Sequence, residues 1–267
     1  MGAIVDLKNV SKIYDVGDSK VYALDDVSLK IDEGDFLMIL GTSGSGKSTM
    51  MHMVGCLDLP TKGKILLEGK DISGMSESRL ANIRGKSIGF VFQTFNLIQT
   101  MTVLENIQLP LLFQGVPPEE REKRAREIAE VVGLSHRLNH RPNSISGGER
   151  QRVAVARALV SDPKIIIADE PTGNLDTKTG RKIMDKLREI NQLGKTVIVV
   201  THDVDLTCYA TRVIFLRDGK IVSEGGPCSN PLLTEKNYLK AAKSPARAEK
   251  KPVSKLKATS SGRAKRR

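Results

Sequence analysis

The sequence predicts an α/β protein with a parallel-sheet core, and three features point there. First, Phe36-Leu37-Met38-Ile39-Leu40, Ile165-Ile166-Ile167-Ala168 and Thr196-Val197-Ile198-Val199-Val200 are unbroken apolar runs of strand length, the pattern of strands buried on both faces. Second, each run stops at small or polar residues: Gly41, then Asp169-Glu170, then Thr201-His202-Asp203. Third, residues 179–192 between the last two runs set Ile183, Leu187 and Ile190 on one helical face, with Gly194 as a stop. Strands alternating with helices imply parallel pairing through right-handed crossovers. Ligands of such sheets sit at the carboxyl ends of the strands, where these polar clusters fall.

The elements follow in order. Residues 4–10 and 21–31 alternate loosely, and Glu33-Gly34-Asp35 reads as a turn, which predicts an N-terminal antiparallel β subdomain. The first buried strand follows, then a helix over 47–56. Residues 94–160 have few strand candidates; Pro117-Pro118 opens a charged helix over 119–132, and a second helix covers 147–160. That stretch is expected to form a helical lobe inserted between sheet strands. One domain is expected over residues 1–240. Residues 241–267 hold ten Lys or Arg against one acid, Glu249, so most of the net charge of +11 belongs to this tail. Rich in Lys, Ala, Ser and Pro, it is expected to be disordered.

Composition excludes several classes. Hydrophobic residues make up 39% and charged residues 27%, as in soluble globular proteins. No apolar run approaches the roughly 20 residues that span a bilayer. The first residues lack the basic start and apolar stretch of a secretory signal. Cys56, Cys208 and Cys228 have no metal-knuckle spacing, so neither a zinc site nor a disulfide framework is expected, and a reducing cytosol fits.

The chemistry begins at Gly41-Thr42-Ser43-Gly44-Ser45-Gly46-Lys47-Ser48, followed by Thr49. Glycines at this spacing, after a strand and before a helix, let backbone amides wrap a polyphosphate, and the helix adds its positive end. Lys47 is expected on the β- and γ-phosphates and Ser48 on Mg²⁺. This makes the expected fold a phosphate-loop (P-loop) NTPase. Asp169, at the end of an apolar strand, is placed to hold Mg²⁺ through water, and Glu170 to polarise the attacking water. Ser146-Gly147-Gly148-Glu149 opens the helix over 147–160. Ser146 and Glu149 form a capping-box pattern. Two glycines at a helix start cost stability, and they are explained if bare amides must approach an anion.

Together these residues resemble the ATP-binding cassette (ABC) ATPases, over about residues 1–235. The family's signature is usually Leu-Ser-Gly-Gly-Gln; this chain has Ile145 and Glu149 at its ends. The second change brings a negative charge toward the nucleotide, so Glu149 is expected to turn to the helix cap. The resemblance implies that Tyr14 stacks on adenine, with Tyr22 a nearby competitor. It implies that Gln93 touches Mg²⁺ and the attacking water, that the loop at Asp176 crosses a dimer interface, and that His202 contacts the γ-phosphate. It further implies two copies pairing head to tail around ATP and Mg²⁺. Ser146, Gly147 and Gly148 would then complete the partner's site, and a separate transmembrane subunit would receive the work at the inner face of the cell membrane. Gly55-Cys56-Leu57-Asp58 and the stretch over 88–97 look most like the lipoprotein-release, macrolide-efflux and cell-division branch.

A second reading is an ABC ATPase acting on nucleic acid or ribosomes, which the basic tail favours superficially. One cassette, no coiled-coil insertion and no Cys-rich knuckle weigh against it, and no specific nucleic acid is expected. The tail fits an anionic membrane surface, nucleic acid, or a solubilising end. The signature argues against a kinase, and no Asn-Lys-x-Asp supports a GTPase.

Overall fold

The computed structural model describes residues 2–17 and 19–227. The basic tail and Cys228 lie outside the described residues. Among the described residues, two sheets, six α-helices and three short 3-10 helices make up the fold. Strands β1 (Ala3–Val16) and β2 (Ser19–Asp32) form a long antiparallel ribbon joined by β4 (Lys62–Leu67) and β5 (Lys70–Asp71), in the order β2-β1-β4-β5. The second sheet contains β3 (Phe36–Leu40), β6 (Ile88–Val91), β7 (Ile165–Asp169), β8 (Thr196–Thr201), β9 (Arg212–Arg217) and β10 (Lys220–Gly225). Its order is β10-β9-β3-β8-β7-β6, parallel throughout except for the antiparallel pair β9–β10.

The apolar runs look uniform in sequence, yet their period-two alternation divides two cores. Phe36, Met38 and Leu40 of β3, with Ile166 and Ala168 of β7, pack against helices α3 (Val103–Phe113), α4 (Pro118–Val131), α5 (Gly147–Leu159) and α6 (Thr177–Gln192). Leu37 and Ile39, with Ile165 and Ile167, pack against the antiparallel sheet and α1 (Lys47–Val54). These strands are thus buried on both sides, which is why β3 and β7 hold no polar residue before Asp169 ends β7.

The expected elements appear with shifted ends. The ribbon strands run longer than their alternating segments, because β1 pairs with β2 on one edge and β4 on the other. Helix α1 stops at Val54, where Gly55 ends it and Cys56 takes φ +54°. Two helices had no sequence expectation. Helix α2 (Glu77–Ser87) buries Leu80 as its only fully covered residue and so shows no apolar stripe. Helix α3 contains Pro110, which argues against a helix when read alone. It forms because Thr102 and Glu105 make a reciprocal capping box at its start. The fully buried Asn106 then ties the preceding loop to it: its Oδ1 accepts from the Ile98 amide at 2.8 Å, and its Nδ2 donates to the Ile98 and Thr102 carbonyls at 3.0 and 2.9 Å.

Helix α5 crosses the sheet where β6 carries Gly89. A Cβ there would lie 2.2 Å from the Ala158 carbonyl oxygen, so backbone meets backbone. Gly89→Ala should cost about 2–3 kcal/mol. Gly85→Ala, on α2 with nothing within 4 Å of its Cβ position, should instead stabilise by about 0.5–1 kcal/mol. Urea denaturation of both variants checks the pair.

Candidate functional site

Three strand ends meet at one cavity. The register pairs Leu40 of β3 with Thr201 of β8 and Asp169 of β7 with Val200, so the glycine loop, the acid pair and His202 leave the sheet side by side. A cavity of about 800 Å³ opens there. It is lined by Thr42, Ser43, Gly44, Gly46, Lys47, Ser48 and Thr49, by Gln93, Asp169, Glu170 and His202, and by Val21, Tyr22 and Ala23 of the ribbon.

The loop depends on its glycines for space and conformation. Gly46 has φ +102°, and a Cβ there would lie 2.3 Å from the Ala23 carbonyl oxygen. A Cβ at Gly41 would lie 2.4 Å from the Leu216 carbonyl oxygen and 2.5 Å from Ser45 Oγ. Gly41 and Ser45 therefore form the packed floor of the loop rather than the cavity wall. Helix α1 begins at Lys47 with no acid in its first turn and no side-chain cap, leaving its positive end open to an anion. Lys47 Nζ donates to the carbonyls of Gly41 and Thr42 at 2.9 and 2.8 Å. Burial holds this ammonium below the usual lysine range, while Glu170 and Asp169 pull the other way.

On the opposite wall, Asp169 is half-buried. Burial and then the neighbouring Glu170 raise its pKa, with His52 and Lys47 opposing. Glu170 sits at φ +44°, uncommon for a residue with a side chain, and its amide donates to the Val200 carbonyl at 2.8 Å. That bond joins β7's end to β8. Glu170 Oε1 lies 2.7 Å from His202 Nδ1. Gln93 follows β6, and Gly173 makes room for it: a Cβ there would be 2.7 Å from Gln93 Nε2. Asn174 Nδ2 donates to the Gln93 carbonyl at 2.8 Å. The loop beyond is fixed from α5: Arg157 donates to the Phe95 and Asn96 carbonyls at 2.8 and 2.5 Å, and the Arg150 guanidinium lies 5.6 Å from the Phe95 ring centroid. Neither arginine stood out in the sequence, because arginines on a polar helix look alike whether solvated or bridging.

Two groups of expected residues lie elsewhere. Tyr14 is not among the lining residues, whereas Tyr22 is. Tyr14 pairs with Val21 across the ribbon, which sets it beside the cavity wall. Ser146, Gly147 and Gly148 head α5, outside this chain's own cavity. Ser146 Oγ accepts from the Glu149 amide at 3.2 Å, and Glu149 Oε2 accepts from the Ser146 amide and hydroxyl, each at 2.8 Å. Glu149 Oε1 accepts from Arg137 Nε at 2.9 Å. Glu149 therefore faces the cap and Arg137. The two glycines have different reasons. A Cβ at Gly148 would meet Thr179 Cγ2 at 2.5 Å, so a side chain there would have to displace that methyl of α6; at Gly147 nothing lies nearer than 3.7 Å. Asp176 caps α6, accepting from the Thr179 amide at 3.0 Å.

A glycine loop, a buried lysine and an acid pair at adjacent parallel strand ends define a phosphate-loop nucleoside triphosphatase. The chain belongs to the ABC transporter family, whose model matches residues 24–173. It is 53% identical to an uncharacterised ABC transporter ATP-binding protein of Thermotoga maritima, over 83% of this chain and 94% of that one. It is 49% identical to the macrolide export ATP-binding/permease protein MacB of Chlorobaculum tepidum, over 83% of this chain and 34% of that longer one. Among solved structures it resembles the dimeric cassette MJ0796 bound to ADP and Pi, from a protein of Methanocaldococcus jannaschii. The TM-score is 0.78 at 48% identity, covering 84% of this chain and 98% of that one. The chain is an ATP-binding, ATP-hydrolysing cassette of the transporter type, and these relatives give the nucleic-acid reading no support.

The Ser146 amide, with the Ser146 hydroxyl and Arg137 and against partial burial, holds the Glu149 carboxyl at about 2, below its ordinary 4.5. A depressed carboxylate adds stability above its unfolded pKa and loses it as pH falls through the folded one. Glu149→Gln should therefore be less stable than the parent near pH 6, and the gap should close between pH 4.5 and 2. Urea midpoints of the two proteins across that range check this.

Proposed function

We propose that two copies of this chain close on two ATP molecules, and that each site is built from both copies. The observation that carries this reading is the position of α5. Its start, with Gly147 unobstructed, stands outside the cavity of its own chain. Amides at a helix N-terminus suit a phosphate, and a second copy supplies one. The dimeric state of the MJ0796 cassette supports the same arrangement.

In this reading Thr42, Ser43, Gly44, Gly46, Lys47, Ser48 and Thr49 form the cradle for the phosphates, on the floor that Gly41 and Ser45 provide. Ser48, Gln93 and Asp169 would hold Mg²⁺, which neutralises developing phosphate charge when bound. The residues fit it: all three offer hard oxygen donors at the cavity wall, and the half-buried Asp169 carboxylate stands beside a second acid, Glu170. Glu170 accepts the proton of the attacking water. His202, 2.7 Å from that carboxylate, orients it and faces the γ-phosphate. Gln93 positions the water. Ser146, Gly147 and Gly148 of the second copy bind the γ-phosphate from the other side.

A groove of about 900 Å³, walled by Leu57, Arg84, Phe90, Phe92 and Phe113, runs beside the loop that carries Gln93. Its lining includes Asn96 and Arg157, the pair that anchors that loop. The groove receives a segment of a separate membrane subunit, and the cassette works at the inner face of the membrane. The permease named in the MacB relative supports such a partner. Among the described residues no helix is long and apolar enough to cross a membrane.

Glu170→Gln should lower turnover by about 10²–10⁴-fold while ATP affinity is kept, read by phosphate release and equilibrium binding. Full activity in that variant sinks the assignment of the base. Ser146→Arg should abolish ATP-dependent dimers in size-exclusion chromatography; dimers that persist count against shared sites.

A further inference from the structure

Tyr14 is held by two side chains that the nucleotide site does not otherwise use. Its hydroxyl donates to Asp58 Oδ2 at 3.2 Å. Lys12 Nζ lies 5.2 Å from its ring centroid. Lys12 also donates to Asp58 Oδ1 at 2.6 Å and to the Leu59 carbonyl at 2.9 Å. Asp58 Oδ1 takes a further bond from the Leu59 amide at 2.7 Å. One carboxylate thus fixes both the phenol and the ammonium, and the ammonium covers one face of the ring. The Lys12 side chain is only 14% exposed, so this cation is largely withdrawn from solvent, where cation–π attraction is stronger.

The position of the ring gives the arrangement a use. Tyr14 lies directly opposite Val21 in the ribbon, and opposed residues of an antiparallel pair share a face. Val21 lines the nucleotide cavity. Tyr14 is 38% exposed despite its two anchors, so part of a tethered aromatic side chain remains open beside that wall.

We propose that Asp58 and Lys12 are positioning residues for the purine base: they lock the Tyr14 ring in the orientation in which its open face stacks on that base. This rests on the reading of Tyr14 as the base platform. Asp58 stands four residues past Val54, the end of α1, so the segment that follows the phosphate-binding helix also sets the base-binding surface. A side chain already fixed loses less freedom when the ligand arrives, and the ligand binds more tightly for it.

Binding of a non-hydrolysable ATP analogue and of inorganic tripolyphosphate, measured by calorimetry on the full chain, tests this. Asp58→Asn and Tyr14→Phe should each weaken the analogue by about three- to tenfold and leave tripolyphosphate unchanged. The double variant should be no weaker than Asp58→Asn alone, because that change already loosens the hydrogen bond that Tyr14→Phe removes. Tyr14→Ala should weaken the analogue further. If Tyr14→Ala weakens the analogue while Asp58→Asn and Tyr14→Phe do not, the platform stands and the proposal is overturned. If Tyr14→Ala has no effect and Tyr22→Ala does, the platform reading falls and takes the proposal with it. Equal weakening of both ligands in Asp58→Asn shows a merely structural bond and also overturns it. Should Asp58→Asn fail to fold, Tyr14→Phe alone decides, since it removes the same hydrogen bond and leaves Asp58 in place.

Discussion

Lys47 sits at the start of α1, its ammonium largely out of water, bound to the Gly41 and Thr42 carbonyls and facing Asp169 and Glu170. A charge in that position is expensive unless its surroundings are fixed. The fold fixes them. Gly41 and Gly46 must be glycine for the loop to seat against Leu216 and Ala23. The acids must leave β7 at the height where β3 and β8 end, which the parallel register imposes. The alternating sides of β3 and β7 then hold the helical lobe on one face and the antiparallel sheet on the other. The site is the place where this packing stops, so its geometry is as firm as the sheet itself.

From that site a continuous set of contacts leads outward. Gln93 touches the cavity, Asn174 holds the Gln93 backbone, and Arg157 and Arg150 join the same loop to α5. Helix α5 begins with Ser146 and carries Arg157, which also walls the large groove. The helix start and the groove are thus tied to Gln93 through packed contacts, the kind of link along which rigid elements move as bodies. In the proposed dimer the same helix would serve the nucleotide of the second copy at one end and the groove proposed for the membrane subunit along its side.

Much of this was legible in the sequence because the relevant forces act locally. The phosphate loop is a continuous octapeptide, and the strand runs at 165–168 and 196–200 show their burial residue by residue. The Ser146–Glu149 cap needs only a spacing of three. What stayed hidden depends on distant neighbours. Helix α2 buries almost nothing and so has no stripe. Helix α3 overrides its proline through a cap and the bonds of Asn106. Gly148 reads as a phosphate contact, and its close packing on the Thr179 methyl of α6 is a second reason for glycine that no local pattern shows. Whether Tyr14 or Tyr22 lies nearer the cavity depends on the register of a ribbon with several shifts, which no local pattern encodes.

The central claim is that one chain's phosphate loop and another chain's α5 hold the same nucleotide. An ATP analogue with a photoreactive group on its γ-phosphate tests it most directly, in a mixture of the parent with a size-tagged Lys47→Ala chain that cannot grip phosphate. Irradiation should label residues 146–149 of the tagged chain, which has no working cradle of its own. Label confined to chains with an intact Lys47 would contradict the account.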